Sequence, residues 1–262
     1  MVSVREMFNT YIDRRELPAL AAVSSEMAAF DDYLKARLSE SGIDGLKVWE
    51  YGKLLKFAGD FRGLRLLDIG PGESTFCLFL ARRGANVVTI DYPQPFAPGI
   101  EGFRSRCRRD GVAVNCGTMV NLPYRDGSFD MVTCISTIEH LDTDREWHPV
   151  NRSQFIASTK DSLAEMGRVL RSGGYLYITS DACDLQRQKT DNWGLSKLYN
   201  GIGAAYTFHE IEDVFVSTLK QMRFKFVNGY DYRSSLVLED PGRANYRGRY
   251  FSTFAILAQK GV

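Results

Sequence analysis

Apolar residues recur at helical spacing in the first part of the chain. Ala19, Leu20, Ala22, Val23, Met27, Phe30, Tyr33, Leu34 and Leu38 predict a helix over about 15–40, ended by Gly42. A second helix is predicted from Leu46 to Ala58, stopping at Gly59. The texture then changes. Leu64–Ile69 is a short apolar strand, Gly70-Pro71-Gly72 a turn, and Thr75–Arg83 a helix that stops at Gly84. Asn86–Asp91, rich in β-branched residues, reads as a second strand. A helix over Gly99–Arg109 and strands over Val112–Asn115 and Phe129–Ser136 follow. Next come a helix over Ser158–Leu170, stopped by Ser172-Gly173-Gly174, and a strand over Tyr175–Ser180. A polar, irregular stretch runs to about Tyr206. Thr207 and Glu210 then stand at capping-box spacing and open a helix to about Met222. The last strands, Phe224–Tyr230 and Tyr250–Ala258, are placed to pair as a hairpin.

Strands alternating with helices imply βαβ units and a parallel sheet. The expected class is α/β: a Rossmann-like three-layer sandwich, mostly parallel, with an antiparallel last strand. In such a sheet ligands bind beyond the carboxyl ends of the strands, where the strand order reverses. Here the first βα turn is Asp68-Ile69-Gly70-Pro71-Gly72. Glycine lets the backbone turn tightly and lie against a ligand with no Cβ in the way. The next strand ends in Asp91, about 20 residues on, where a carboxylate receives ribose hydroxyls. Two nucleotide cofactors fit this pattern. The dinucleotide fingerprint needs a third glycine where this chain has Thr75. Asp68, ahead of the first glycine, disfavours a nearby pyrophosphate and suits a cationic or amino-bearing ligand.

Further motifs stand in order behind the turn: Asp91-Tyr92, Gly117-Thr118-Met119-Val120-Asn121-Leu122-Pro123-Tyr124, Asp126-Gly127-Ser128-Phe129-Asp130 and Glu165 to Gly174. Together they resemble the class I methyltransferases, in the branch called methyltransferase type 11, over residues 64–180 with a tail to 260. The resemblance implies S-adenosylmethionine as cofactor. It implies binding by Asp68, Gly70, Pro71 and Gly72, by Asp91 and Tyr92 at ribose and adenine, by Thr118 and Met119 in the adenine loop, and by Ser136 at the end of the fourth strand. Thr118 stands where the family often has Asp, so its hydroxyl offers the adenine amino group a neutral contact.

Composition narrows the class without naming the acceptor. The chain has 262 residues, 44% hydrophobic and 25% charged, and a net charge of +1 from 33 Lys+Arg and 32 Asp+Glu. That is near the average for a globular protein. No basic stripe marks a nucleic-acid binder. Arg104 to Arg109 reads as a solvated helix face. The five cysteines form no C-x-x-C pair, which argues against disulfides and zinc and for a reducing, cytoplasmic setting. No leader and no membrane span are expected.

Two domains of unequal role are expected. Residues 1–60 form an N-terminal helical extension covering the site. Residues 61–262 form the cofactor-binding domain, with insertions at about 141–157, 182–206 and 239–249. These follow strands four, five and six and emerge where binding loops gather. Trp147, Trp193, Tyr199, Tyr206 and Phe208 are expected to line a pocket there, and Arg145, Arg152, Arg187, Arg243, Arg247 and Arg249 to meet an anionic group. The acceptor expected is a small molecule or sugar-like metabolite, with O-methylation favoured over N- or C-methylation. The three histidines supply the base candidates: His140 first, His148 second, with His209 as a structural or substrate-facing group. Glu139, Asp142 and Asp144 lie near His140, but the set is loose and no metal is expected. A non-catalytic S-adenosylmethionine-binding module and an NAD-dependent oxidoreductase are the rival readings.

Overall fold

Short apolar runs bounded by glycine turns assemble, in the computed structural model, into a single sheet flanked by helices. The structure describes residues 9–12, 14–39, 46–58, 60–92, 100–142, 151–183, 205–232 and 251–262. The strands among them are β1 (Arg65–Ile69), β2 (Asn86–Asp91), β3 (Ala113–Cys116), β4 (Phe129–Ile135), β5 (Leu170–Cys183), β6 (Tyr206–Thr207), β7 (Phe224–Phe226) and β8 (Phe251–Lys260). Their order is β3-β2-β1-β4-β5-β8-β7, with β6 pairing β5. β1 pairs in parallel with both β2 and β4, so the order reverses between them and opens a crevice at the carboxyl edge. β8 runs antiparallel between β5 and β7, as the sequence predicts. Its centre, Phe254 to Ala258, is wholly buried because both faces are covered.

Alternation along β1 assigns the two faces. Leu67 and Ile69 join one core with Phe155, Met166, Tyr206 and Phe215. Leu66 joins the other, with Trp49, Leu54, Phe76 and Phe103. The first face is covered by α6 (Arg152–Val169) and by α7, which joins Phe208–Glu210, Ile211–Val216 and Ser217–Gln221. The second is covered by α3 (Leu46–Ala58), α4 (Phe76–Arg82) and α5 (Ile100–Arg109), with α1 (Ala21–Phe30) and α2 (Asp32–Ser39) outside α3. Each fully buried Leu or Phe contributes about 1.5–3 kcal/mol.

Several elements depart from their sequence patterns, two of them because a side chain caps a helix. The helix expected over 15–40 breaks at Asp31, which is extended at φ −159°. Its carboxylate accepts from Leu34 N at 2.8 Å and Thr75 Oγ1 at 3.0 Å, and pairs with Arg106 at 3.4 Å. A cap in mid-pattern is invisible to apolar periodicity. Arg106 therefore leaves the solvated face expected of it. α6 starts at Arg152, not Ser158, because Asn151 accepts from Gln154 N at 3.1 Å. Residues 152–157 of the segment read as an insertion are thus helix. The Ser172-Gly173-Gly174 stop does not interrupt β5, which begins at Leu170 and carries Gly173 at φ +75°.

The Thr207 capping box is present: Glu210 N donates to Thr207 Oγ1 at 3.3 Å and Thr207 N to Glu210 Oε2 at 2.7 Å. α7 then runs as Phe208–Glu210, a π segment at Ile211–Val216, and Ser217–Gln221. The extension expected to be helical begins differently. Ala255 N donates to Thr10 O at 2.9 Å and Ile12 N to Thr253 O at 2.8 Å, so residues 9–12 pair with β8. The fully buried Asn9 amide donates to Val227 O at 2.8 Å and Gly229 O at 2.6 Å and accepts from Leu257 N.

Candidate functional site

The turn after β1 is built on two glycines in the left-handed region. Gly70 and Gly72 hold φ +66° and +58°, where a Cβ is strained. A Cβ on Gly70 would stand 2.0 Å from Thr137 Cγ2, while Thr137 Oγ1 donates to Gly70 O at 2.9 Å. Pro71 between them is half-buried. The acid at the end of β2 closes over this loop: Asp91 Oδ2 accepts from Gly72 N at 2.9 Å and Oδ1 from Tyr92 N at 2.8 Å. Partial burial raises the Asp91 pKa against the pull of these two N–H groups. Tyr92 beside it is 68% exposed and presents an uncovered aromatic ring. Gly117 N donates to Asp91 O at 3.0 Å and brings the next loop alongside. In that loop the Thr118 hydroxyl accepts from Val120 N at 3.4 Å, and Met119 packs half-buried on the core.

Asp68 lies underneath, buried in the floor. Thr133 Oγ1 donates to it at 2.7 Å. Burial, reinforced by the Asp91 charge, pushes its pKa from 3.8 up to about 7. A folded-state pKa above the unfolded one means stability that is present below pH about 4 and lost as pH rises through about 7. The ligand-free chain is therefore expected to melt at a higher temperature at pH 5.5 than at pH 8. Asp68→Asn is expected to flatten that slope in a pH series of thermal melts.

A second polar centre stands at the carboxyl ends of β4 and β5. Ser136 follows β4 directly at φ 47°, a left-handed conformation rare for a serine. Its hydroxyl donates to Glu50 Oε1 at 2.5 Å and accepts from Lys47 Nζ at 2.9 Å. Thr179 Oγ1 donates to the same Glu50 oxygen at 2.6 Å, and Tyr177 Oη to Glu50 O at 2.6 Å. Lys47 and Glu50, one turn apart on α3, pair at 2.7 Å. Burial works against the Lys47 ammonium, but Glu50 outweighs it and raises the pKa above the ordinary lysine value. Next to them Glu139 accepts from Ser180 Oγ at 2.9 Å, and Asp181 accepts from Thr253 Oγ1 at 3.3 Å. Burial, with Asp181 alongside, raises the Glu139 pKa strongly.

Lys47, Glu50, Thr179 and Asp181 are not among the residues the sequence motifs point to. Two weaker signals mark them. Lys47, Glu50 and Lys53 recur at i,i+3 on a helix otherwise read for its apolar face. Thr179-Ser180-Asp181 is a polar end on an apolar strand.

His140, the first base candidate, follows on the turn Ile138–His140 and is solvent-facing at the rim. The surrounding protein and the Lys47 ammonium both disfavour imidazolium and lower its pKa. It is neutral at pH 7 but a weak base. His148 lies outside the described residues, as do Trp147, Trp193, Tyr199, Arg145, Arg187, Arg243, Arg247 and Arg249. Of the remaining pocket candidates, Tyr206 is fully buried and stacked on Phe155 at 4.9 Å between ring centroids. It belongs to the core. Arg152 pairs with Glu210 and lies 4.8 Å from the Phe155 ring centroid. Phe208 is half-buried. Among the described residues, no three His, Cys, Asp or Glu side chains stand together as metal ligands.

Strand order, switch-point crevice and glycine loop define a Rossmann-like nucleotide-binding fold. Residues 67–178 match the family described as the methyltransferase domain. A demethylmenaquinone methyltransferase from Thermobifida fusca is 30% identical over 118 residues, 45% of this chain and 44% of that protein. A ubiquinone biosynthesis O-methyltransferase from Chelativorans is 33% identical over 93 residues, 35% of this chain and 36% of that protein. The matches thus span less than half the length of these relatives. The fold is shared with an S-adenosylmethionine-dependent methyltransferase from Methanosarcina mazei, at TM-score 0.52 and 20% identity, covering 76% of this chain and 93% of that one. Residues 67–178 are thus similar to a methyltransferase domain and lie on a Rossmann-like fold.

Proposed function

We propose that this chain transfers a methyl group from S-adenosylmethionine to a small-molecule or sugar-like acceptor, with a hydroxyl as the receiving group. The observation that carries the reading is the bridge from Gly72 N to Asp91 Oδ2 at 2.9 Å. It sets a carboxylate and a Cβ-free backbone cradle side by side at the switch point. A ribose diol satisfies the one and a ligand lying close to the backbone fits the other. In this reading Asp91 receives the ribose hydroxyls and Tyr92 covers the adenine. Thr118 and Met119 meet the adenine edge, and Gly70, Pro71, Gly72 and Ser136 border the amino-acid end. Asp68 supports the floor from beneath. His140 lines the rim as a neutral group. The similarity to a demethylmenaquinone methyltransferase and to a ubiquinone biosynthesis O-methyltransferase supports a small acceptor. Thr75 in place of a third glycine opposes a nicotinamide dinucleotide.

When bound, the cofactor supplies a methyl carbon already activated by its sulfonium. This chain's task is to hold the acceptor in line with that carbon, worth roughly 7–11 kcal/mol at best. No helix among the described residues is long and apolar enough to cross a membrane, and a cytoplasmic site of action is part of the proposal. The test is calorimetric binding of S-adenosylmethionine and its demethylated product, followed by tritium transfer from labelled cofactor to a panel of phenols, sugars and amines. Micromolar binding with label appearing on a hydroxyl compound supports the reading. Binding without transfer to any acceptor favours the non-catalytic module, and absence of binding overturns the reading altogether.

A further inference from the structure

Five ionisable side chains meet at the carboxyl ends of β4 and β5, and their geometry sorts them by role. Glu50 is fully buried, with Oε1 taken by Ser136 and Thr179 and Oε2 paired with Lys47. Glu139 is 1% exposed and fixed by Ser180. His140 is solvent-facing but a weak base. Lys47 is the one cation of the group. Asp181 differs from the other carboxylates. It is only partly buried. One oxygen, Oδ1, accepts from Thr253 at 3.3 Å, and Oδ2 has no hydrogen-bond partner among the described residues. Alternation along β5 puts it on the same face as Tyr177 and Thr179, both bonded to Glu50. It stands two residues beyond the level of Ile135, the last residue of β4, which pairs with Thr179.

We propose that Asp181 is the general base of the reaction, its Oδ2 taking the proton from the acceptor hydroxyl. This rests on the hydroxyl-acceptor reading above. As the acceptor oxygen attacks the methyl carbon, the new C–O bond forms and the carbon–sulfur bond breaks with its electron pair going to sulfur. The O–H proton passes to Asp181, and the carboxylic acid later returns it to solvent. Every group packed around Asp181 bears on its charge. Its own burial and Glu50 raise its pKa, the ammonium of Lys47 and the Thr253 hydrogen bond lower it, and its charge in turn raises the pKa of Glu139. The balance takes it from 3.8 to about 7, where a base is both free to accept a proton and strong enough to draw one.

Two measurements test this on the full chain. The first follows the aspartate carboxyl carbons by NMR from pH 5 to 9 with S-adenosylhomocysteine bound. A resonance titrating near neutrality and missing from Asp181→Asn is expected. A missing resonance that stays ionised throughout overturns the proposal. The second measures label transfer to catechol and, separately, to aniline. With catechol, Asp181→Asn is expected to lower kcat about 10²–10⁴-fold. It is also expected to abolish the rise of kcat with pH through neutrality, with S-adenosylhomocysteine affinity unchanged and Asp181→Glu recovering part of the rate. A kcat within threefold of the original with the same pH profile overturns the proposal. Transfer to aniline alone overturns the hydroxyl reading and this proposal with it. Where neither probe is methylated, the titration decides. Loss of S-adenosylhomocysteine binding by the unaltered chain fails the cofactor reading instead.

Discussion

Asp91→Ala is expected to weaken S-adenosylmethionine binding tenfold or more, about 1.4 kcal/mol at least, in a calorimetric titration. The loss has two sources. The carboxylate is the acceptor placed for the ribose diol, and a charge-assisted hydrogen bond is worth roughly 1.5–3 kcal/mol. It also ties Gly72 N to the end of β2, so its removal loosens the loop that must lie against the ligand. The same variant removes the charge that helps keep Asp68 protonated, and the Asp68 pKa is expected to fall. A variant that binds within twofold of the original would show that the ribose is held elsewhere and would remove the Asp91 role. Adenosine as a second titrant separates the sources. A loss of the same size with adenosine locates the effect at the ribose.

The frame of this molecule was legible because it rests on strong local signals. α3 and β2 start and end where the pattern puts them, since glycine turns and β-branched runs leave few alternatives. The capping box at Thr207 was readable for the same reason. The break at Asp31 and the early start of α6 at Asn151 were not, because a single side-chain cap overrides the apolar period without changing it. The glycine turn and Asp91 were legible as a pair since their spacing follows from one βαβ unit. The Lys47–Glu50–Ser136–Thr179 centre was not. Its members lie 89 and 129 residues apart along the chain, and only the packing of α3 over the β4–β5 edge brings them together. Lys47 and Glu50 alone look like an ordinary exposed i,i+3 pair.

That centre carries the largest expected effect on stability. Glu50→Ala is expected to destabilise the chain by about 3–5 kcal/mol, because it leaves the Lys47 ammonium buried without its counter-charge. Lys47 has only 14% of its side chain exposed and Glu50 none, so water replaces little of what is lost. The Ser136 and Thr179 hydroxyls lose their common acceptor in the same step. For a chain of this size each kcal/mol lowers the melting temperature by roughly 2–4 °C, so a fall near 10 °C is expected in a thermal melt. Glu50→Gln keeps an acceptor for both hydroxyls and is expected to fall about midway. The double variant Lys47→Met, Glu50→Leu removes both charges and is expected to recover most of the loss, since an apolar pair often replaces a buried ion pair at little cost. Equal melting of Glu50→Ala and the unaltered chain would mean that the pair is open to solvent and worth no more than a surface contact. The charge change also reaches β5. Without Glu50 one repulsive neighbour of Asp181 is gone and Lys47 is left unpaired next to it, and both effects lower the Asp181 pKa. In Glu50→Gln the rise of kcat with pH is therefore expected to move to lower pH while the cofactor affinity stays as it was. α3 thus stabilises the fold and sets the proton affinity of the acceptor edge through one carboxylate.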